Sequence, residues 1–471
     1  MLIWLALAEA AVPCGTLRML QDAPEARRGV VLRAGPEKGL RDIYGVPNLL
    51  ESENFVVRWG SGERFTDDEL DNLLESLELG WRGQMVEMGH PPPYGADAFR
   101  FNVYIGNTGD GAPEIAGAAG YFTPDEEGWP MIVVDPSVVR DKLTTEGTAV
   151  HELYHAVQSA TGRYGYTGIS AWYWEATAEW AAMQVVPDNP LSGAFAFGYL
   201  MLPELPVNFF DYPDTGELQE YHQYGAFMFP YDLTEQHGWE LVRDSWTDPG
   251  TNPDPLEVMR AWLGARDADL DELWLDHIAK NAVFDYPFGR IAAETIENAG
   301  PMWPEAQPIS VELEWAGDEG RTSEREAPGR YGALAFRLRQ SDPGTLRVKI
   351  DGDATGTRGN PAHFGARVIQ IDDFGDPIYH PVPFEGLSGE LSLEDIRTND
   401  ELYVVVGAWT PVAKARDWDT ERFRFSWSIL VEPAALDVPE AEEKKGCGCA
   451  QGAPGVGLLG LLGLLGLRRR A

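Results

Sequence analysis

The order of its elements assigns this chain to the α+β class: a few short strands come first, helices follow, and short alternating strands fill the last third. With 471 residues, 44% of them hydrophobic and 24% charged, the chain has enough material for at least two hydrophobic cores and the composition of a folded globular protein. The expected organisation is a domain over 54–300, made of a small sheet followed by a helical half, and an accessory β-sandwich over 309–434. No internal repeat is visible.

Residues 12–53 are rich in Arg, Gly and Pro with little periodicity, so they read as a leader or short pro-region to which no chemistry is assigned. Alternation places the first strand at 54–59. Thr66 then caps a helix, with Glu69 closing a capping box and Phe65 facing Leu70 as a hydrophobic staple. That helix is predicted to reach Met88 and stop at Gly89, ahead of three prolines. Strands are expected at 99–105, 118–123 and 130–134, each bounded by Gly, Pro or Asp. Helices follow at 144–160 and 170–186, then at 221–236, bent or broken at Pro230. Asp254 and Pro255 supply a cap and a first-turn proline for another, and 267–284 closes the set. After Pro308, strands are expected at 310–315, 331–338, 346–350, 366–371, 401–408 and 422–431, the number and spacing of a sandwich. The acidic stretch 351–356 lacks the spacing and terminal Glu of a calcium loop and reads as a turn between strands.

Charge excludes one class of function. Seventy-five acidic against 37 basic residues give a net charge of -38, and phosphate recognition needs clustered Lys and Arg, so nucleic acid is not a partner. Both ends carry addressing features. Residues 1–11 form an apolar run ending in small residues, as in a signal peptide, though without a basic start. Cys14, after Val12 and Pro13, sits in a poor lipoprotein context and reads as an ordinary free cysteine. At the far end, a charged linker over 435–446 leads to Cys447 and Cys449, thirteen apolar residues and three arginines. This tail resembles the C-terminal surface-sorting signal (MYXO-CTERM) of many myxobacterial exported proteins, which implies processing and anchoring at Cys447 or Cys449 and membrane contact through the tail alone. A metal-binding or disulfide-forming pair is the alternative, against which the apolar run argues. No cysteine lies between Cys14 and Cys447, so the body is expected to fold without disulfides.

The chemistry concentrates at HELYH: His151 and His155, four residues apart on a helix, project from one face and can share a metal. Glu152, beside the first ligand, is placed to take a proton from a bound water. A catalytic zinc needs a third protein ligand, and Glu175, on the helix carrying W-Y-W-E-A-T-A-E-W, supplies it. Glu179, one turn further, can fix the tautomer of a ligand imidazole. A histidine pair on a helix can also be a partly buried polar patch, and a helical glutamate a surface residue; the convergence of four residues is what favours the metal.

This pattern resembles the gluzincins, the thermolysin-like zinc peptidases, in which HExxH is followed about 20 residues later by a ligand Glu and then by a further acid. It is still more similar to a family of secreted bacterial metalloproteases that share HELYHAVQ, W-E-A-T-A-E-W and a later H-Q-Y-G helix. The resemblance implies a gluzincin-like domain holding Zn2+ through His151, His155 and Glu175, with Glu152 as general base. Glu179 stands where thermolysin-like enzymes carry Asp.

Zinc held by two His and one Glu keeps a position for water and hydrolyses carbonyl compounds through an oxyanion. Tyr221, His222 and Tyr224 are the candidates for stabilising that oxyanion, each with packing as its alternative role. The strand 117–122 is a candidate edge for an extended peptide to pair with. The G-x-M-E-N signature of gluzincin aminopeptidases is absent, which favours an endopeptidase. The expected function is therefore an exported or surface-anchored zinc peptidase acting on a peptide or protein. Two other readings stay open: a surface-displayed binding or adhesion protein with a structural or inactive metal site, and a zinc hydrolase of non-peptide amides or esters. The remaining histidines (His90, His237, His277, His363, His380) read as structural.

Overall fold

The computed structural model describes residues 14–21, 23–29, 31, 38–212, 215–338, 343–372, 374–397, 400–410 and 419–434. The expectations for 1–11, for the linker and for Cys447, Cys449 and the rest of the tail lie outside these residues. The fold is α+β, with helices and three five-stranded sheets among the described residues. None of the described helices is long and apolar enough to cross a membrane.

The first part begins with a short helix α1 (Thr16–Leu20) and a strand β1 (Asn48–Glu51), so the stretch read as a leader or short pro-region contributes ordered elements. Leu17 and Leu20 of α1 are buried in the main core. Strand β2 (Phe55–Trp59) leads to helix α2 (Asp67–Trp81), whose N-terminus carries the predicted capping box between Thr66 and Glu69. The helix does not run on as an α-helix to Met88; its last turn widens into a π-helical segment, Arg82–Glu87, before Gly89 at φ +75°. Strands β3 (Phe101–Ile105), β4 (Gly120–Pro124) and β5 (Pro130–Val134) complete a sheet in the order β1-β2-β3-β5-β4. Its three central strands are parallel, and β4, antiparallel to β5, forms one edge.

Helices α3 (Pro136–Arg140), α4 (Lys142–Thr161), α5 (Ala171–Val185) and α6 (Ala196–Leu200) follow. The helix expected over 221–236 is three pieces: a 3-10 turn at Leu218–Tyr221, α7 (His222–Gly225) and α8 (Met228–His237). The break precedes Pro230, which falls in the first turn of α8 where no backbone N–H is required. Helix α9 (Glu240–Thr247) was not anticipated, α10 (Pro255–Gly264) starts on the predicted Asp254 cap, and α11 (Leu270–Val283) begins three residues later than expected. A further unanticipated helix, α12 (Gly289–Ala299), closes this half.

Strands β6 (Val311–Leu313), β7 (Gly317–Arg321), β8 (Gly332–Leu338), β9 (Gly344–Gly352), β10 (His363–Ile371), β11 (Pro377–Pro381), β12 (Phe384–Glu385), β13 (Ser388–Ile396), β14 (Glu401–Trp409) and β15 (Phe425–Pro433) form two sheets, ordered β11-β10-β14-β8-β6 and β12-β13-β9-β15-β7. In β9, Leu346, Val348 and Ile350 point inward while Arg347, Lys349 and Asp351 point out, the alternation of a sheet with one wet face. By contrast β8, β10 and β14 are largely buried on both faces. One face meets the second sheet; the other receives α11. Beyond β9, Asp353 pairs with Arg321 at 2.6 Å, in keeping with a turn between strands.

The sandwich and the helical half share a core, in which Trp274, Leu275 and Ile278 of α11 join Ala333, Ile369, Val405 and Trp409. Buried Arg330 bridges the same boundary, 2.8 Å from Asp254 and 3.3 Å from Glu257, while Arg367 lies 2.7 Å from both Glu272 and Asp276. Close approach depends on glycine: a Cβ on Gly407 would stand 2.3 Å from the Trp274 ring and 2.8 Å from Ile278. Gly407→Val is therefore expected to destabilise the protein by about 1–3 kcal/mol through overpacking, read as a lower urea midpoint with the transition still single.

Candidate metal centre

Helix α4 starts on Asp141, whose side chain accepts from the Thr144 N–H, and ends at Gly162 in the left-handed region at φ +60°. His151 and His155, one turn apart, face α5, which brings Glu175 and Glu179 across. The Nε2 atoms of the two histidines are 3.1 Å apart, and Glu175 Oε2 lies 3.2 Å from His151 Nε2 and 3.5 Å from His155 Nε2. Cys14 Sγ adds a fourth corner, 3.3 Å from His155 Nε2. These four separations are close to the roughly 3.3–3.8 Å at which ligand atoms stand around a tetrahedral ion with bonds of roughly 2.0–2.3 Å. Cys14, His151, His155 and Glu175 form a buried group, with ligand atoms within 4.8 Å of one another, that could hold a metal ion.

Neighbouring groups orient these ligands. Glu179 Oε1 lies 3.0 Å from His151 Nδ1, and its negative charge favours a proton on that nitrogen, which would leave Nε2 for the metal. His155 Nδ1 meets Gln158 Oε1 at 2.7 Å, and the Gln158 amide in turn donates to the Trp174 carbonyl and to Thr177. Trp174 also stacks on the His155 ring.

Glu152 is fully buried beside this group, on the side of strand β4. Its Oε2 accepts from the Thr16 hydroxyl at 2.8 Å, and its Oε1 has no hydrogen-bond partner among the described residues. Gly120 makes that approach feasible, since a Cβ there would sit 3.0 Å from Glu152 Cγ and from Thr148. On the opposite side, the Tyr224 hydroxyl donates to the Cys14 carbonyl at 3.3 Å, and its ring lies 6.3 Å from that of His151.

Electrostatics follow from this crowding of carboxylates. Burial opposes charge on His151 and His155, but Cys14 and Glu175, joined at His151 by Glu179, outweigh it; His151 is held well above its ordinary range and His155 at about 10. Burial likewise opposes the Glu175 carboxylate, and the two histidines overcome it to hold that group at about 2. Burial raises Glu152, against the pull of His155 and His151. The pocket thus favours positive charge at its centre, which a divalent cation supplies.

Not every candidate from the sequence arrives here. His222 is packed against Tyr199 and Phe209, and burial lowers it to about 3; it makes no contact with the four ligands, so the fold separates it from an oxyanion role. Tyr221 packs on Phe195, Phe197 and Trp303. His90 lies against Tyr154, and His277 against Tyr199, Phe229 and Tyr286. Among the described residues the cluster includes no other histidine. Three participants were missed. Gln158 was visible as the third residue after His155. Thr16 and Cys14 gave no local signal; Cys14 is free of any disulfide, as expected, but it is only 2% exposed and belongs to the group that could hold a metal ion.

Comparison with known proteins adds a family. The profile of the family described as "Family of unknown function (DUF6055)" matches residues 43–437, most of the chain. The chain belongs to DUF6055. The matched DUF6055 region includes His151, Glu152, His155, Glu175 and Tyr224 and begins after Cys14 and Thr16. No curated protein matches this DUF6055 member. Among solved structures, the pre-peptidase C-terminal domain of collagenase from Bacillus anthracis aligns with 26% of this chain and 97% of its own at 9% identity and a TM-score of 0.18. A structure of infectious bursal disease virus Gx strain aligns with 26% of this chain and 33% of its own at 14% identity and a TM-score of 0.18. A family GH115 4-O-methyl-alpha-glucuronidase aligns with 63% and 39% at 9% identity and a TM-score of 0.14. Likenesses this slight carry no argument about the fold or function of the DUF6055 chain.

Proposed function

We propose that this protein is a zinc-dependent peptidase of the gluzincin type, acting outside the cytoplasm on peptide or protein substrates. The observation that supports it best is the placement of a buried carboxylate, Glu152, beside three convergent ligand side chains, His151, His155 and Glu175. A purely structural ion has no need of a base at that position. When bound, zinc would polarise a scissile carbonyl and acidify a water. The side chains do the rest. Glu152 takes the proton at its carboxylate and passes it to the departing amine. Tyr224, already donating to one peptide carbonyl, is placed to donate to the developing oxyanion. Glu179 and Gln158 hold the two imidazoles so that each presents Nε2. Strand β4, at the sheet edge next to Glu152, offers backbone groups with which an extended substrate can pair.

Metal analysis of the purified protein is expected to give about one zinc per chain, and cleavage of a peptide library is expected to stop when a chelator removes it. A protein that carries no zinc after careful loading, or cleavage indifferent to the chelator, would refute the assignment.

A further inference from the structure

Residues 14–20 lie along β4 and over the ligands rather than away from them. Cys14 bridges to Gly120 in parallel register, the Gly15 N–H donates to the Gly120 carbonyl at 2.8 Å, and the Phe122 N–H donates to the Thr16 hydroxyl at 2.8 Å. Three consecutive features of this one segment take up three groups that a peptidase would use. The Cys14 sulfur faces the metal ligands, the Cys14 carbonyl receives the Tyr224 hydroxyl, and the Thr16 hydroxyl holds Glu152. A cysteine serving only as a structural ligand would need the sulfur alone.

We infer that the segment Cys14–Leu20 is a built-in plug that keeps the site latent, with Cys14 as a displaceable fourth metal ligand and the segment's backbone in the place of a substrate. The inference rests on reading the cluster as a metal centre of a hydrolase. On coordination the thiol gives its proton to solvent, and the thiolate fills the position that water would otherwise take. Tyr224 and one oxygen of Glu152 are occupied in the same act, the hydroxyl by the Cys14 carbonyl and Oε2 by the Thr16 hydroxyl. Leu17 and Leu20, buried in the main core, anchor the plug from behind, so the latent form is held by apolar packing as well as by sulfur. Activity then requires the segment to be displaced or cut away, and a substrate competes with it for the β4 edge.

Because deleting the segment would uncover the core beneath Leu17 and Leu20, point variants of the full chain are the informative test. With Co2+ in place of zinc, the intact protein is expected to show thiolate-to-metal charge-transfer absorption, and Cys14→Ser to lose it at unchanged metal content. Iodoacetamide should label Cys14, identified by mass spectrometry of its peptide, only after a chelator has removed the metal. A peptide hydroxamate should bind Cys14→Ala about tenfold or more tightly than the intact chain, because apparent affinity falls with the fraction of open sites. Any of three results would overturn the plug: the same absorption in Cys14→Ser, a Cys14 in the intact chain that is labelled equally fast with and without metal, or a Cys14→Ala protein that loses its ion, as a permanent structural ligand would dictate. If the absorption and the protection appear but neither form cleaves any peptide, the peptidase reading fails while the coordination by Cys14 stands.

Discussion

Glu152→Gln is expected to lower peptide turnover by about 10²–10⁴-fold, the usual contribution of a positioned general base, while leaving the metal content unchanged. The substitution is nearly isosteric. Its amide oxygen can still accept from the Thr16 hydroxyl, which holds Glu152 Oε2 at 2.8 Å in the native protein, so the segment 14–20 keeps its seat. What is lost is the ability to take a proton, at an atom that has no hydrogen-bond partner among the described residues. The metal-facing atoms of His151, His155 and Glu175 lie against one another. The comparison is best made in a Cys14→Ala background, where occupancy of the site by the plug cannot mask the effect. Turnover equal to that of the parent would remove Glu152 from the mechanism, whatever the fate of the zinc.

How much of this was legible depends on how local each signal is. The capping box at Thr66 and Glu69, the Asp254–Pro255 helix start and the alternation in β9 are carried by neighbours in sequence, and the structure has all three. The α+β class follows from the order of such elements. Edge strands were missed where nothing needed to be apolar: β7 reads Gly-Asp-Glu-Gly-Arg and pairs with β15 alone among the described strands. The helix over 221–236 was misjudged because its break is set by packing, not by Pro230; a Cβ on Gly225 would stand 2.5 Å from the Phe195 carbonyl. In the site, HELYH and the two glutamates of α5 are a spacing pattern on helices and could be read directly. Cys14 and Thr16 meet His155 and Glu152 across 141 and 136 residues, with no periodicity to announce them. His222 and Tyr224 were indistinguishable in sequence, and only the short helix α7 decides which of them faces Cys14.

Removing the metal is expected to lower the melting temperature by several degrees, and by more at pH 9 than at pH 6. At a free zinc concentration 1,000 times its dissociation constant, binding contributes about 4 kcal/mol to the folded state. The pH dependence comes from the histidines. Without an ion, the carboxylates and Cys14 draw protons onto the pair, holding His155 at about 10 and His151 well above its ordinary range. A folded-state value raised in this way stabilises the metal-free protein fully below the unfolded histidine value, and the benefit is lost as pH rises towards 10. The zinc-bound protein runs the other way, because its imidazoles must be deprotonated, so acid competes with the metal and alkali favours it. Both trends widen the gap between the two forms with rising pH. Thermal unfolding at the two pH values, with and without a chelator, measures that gap directly. A melting temperature that ignores the chelator at both would mean that the buried cluster holds no ion that matters to the fold, and a gap that narrows with pH would mean that the histidines are not what the protons and the metal compete for.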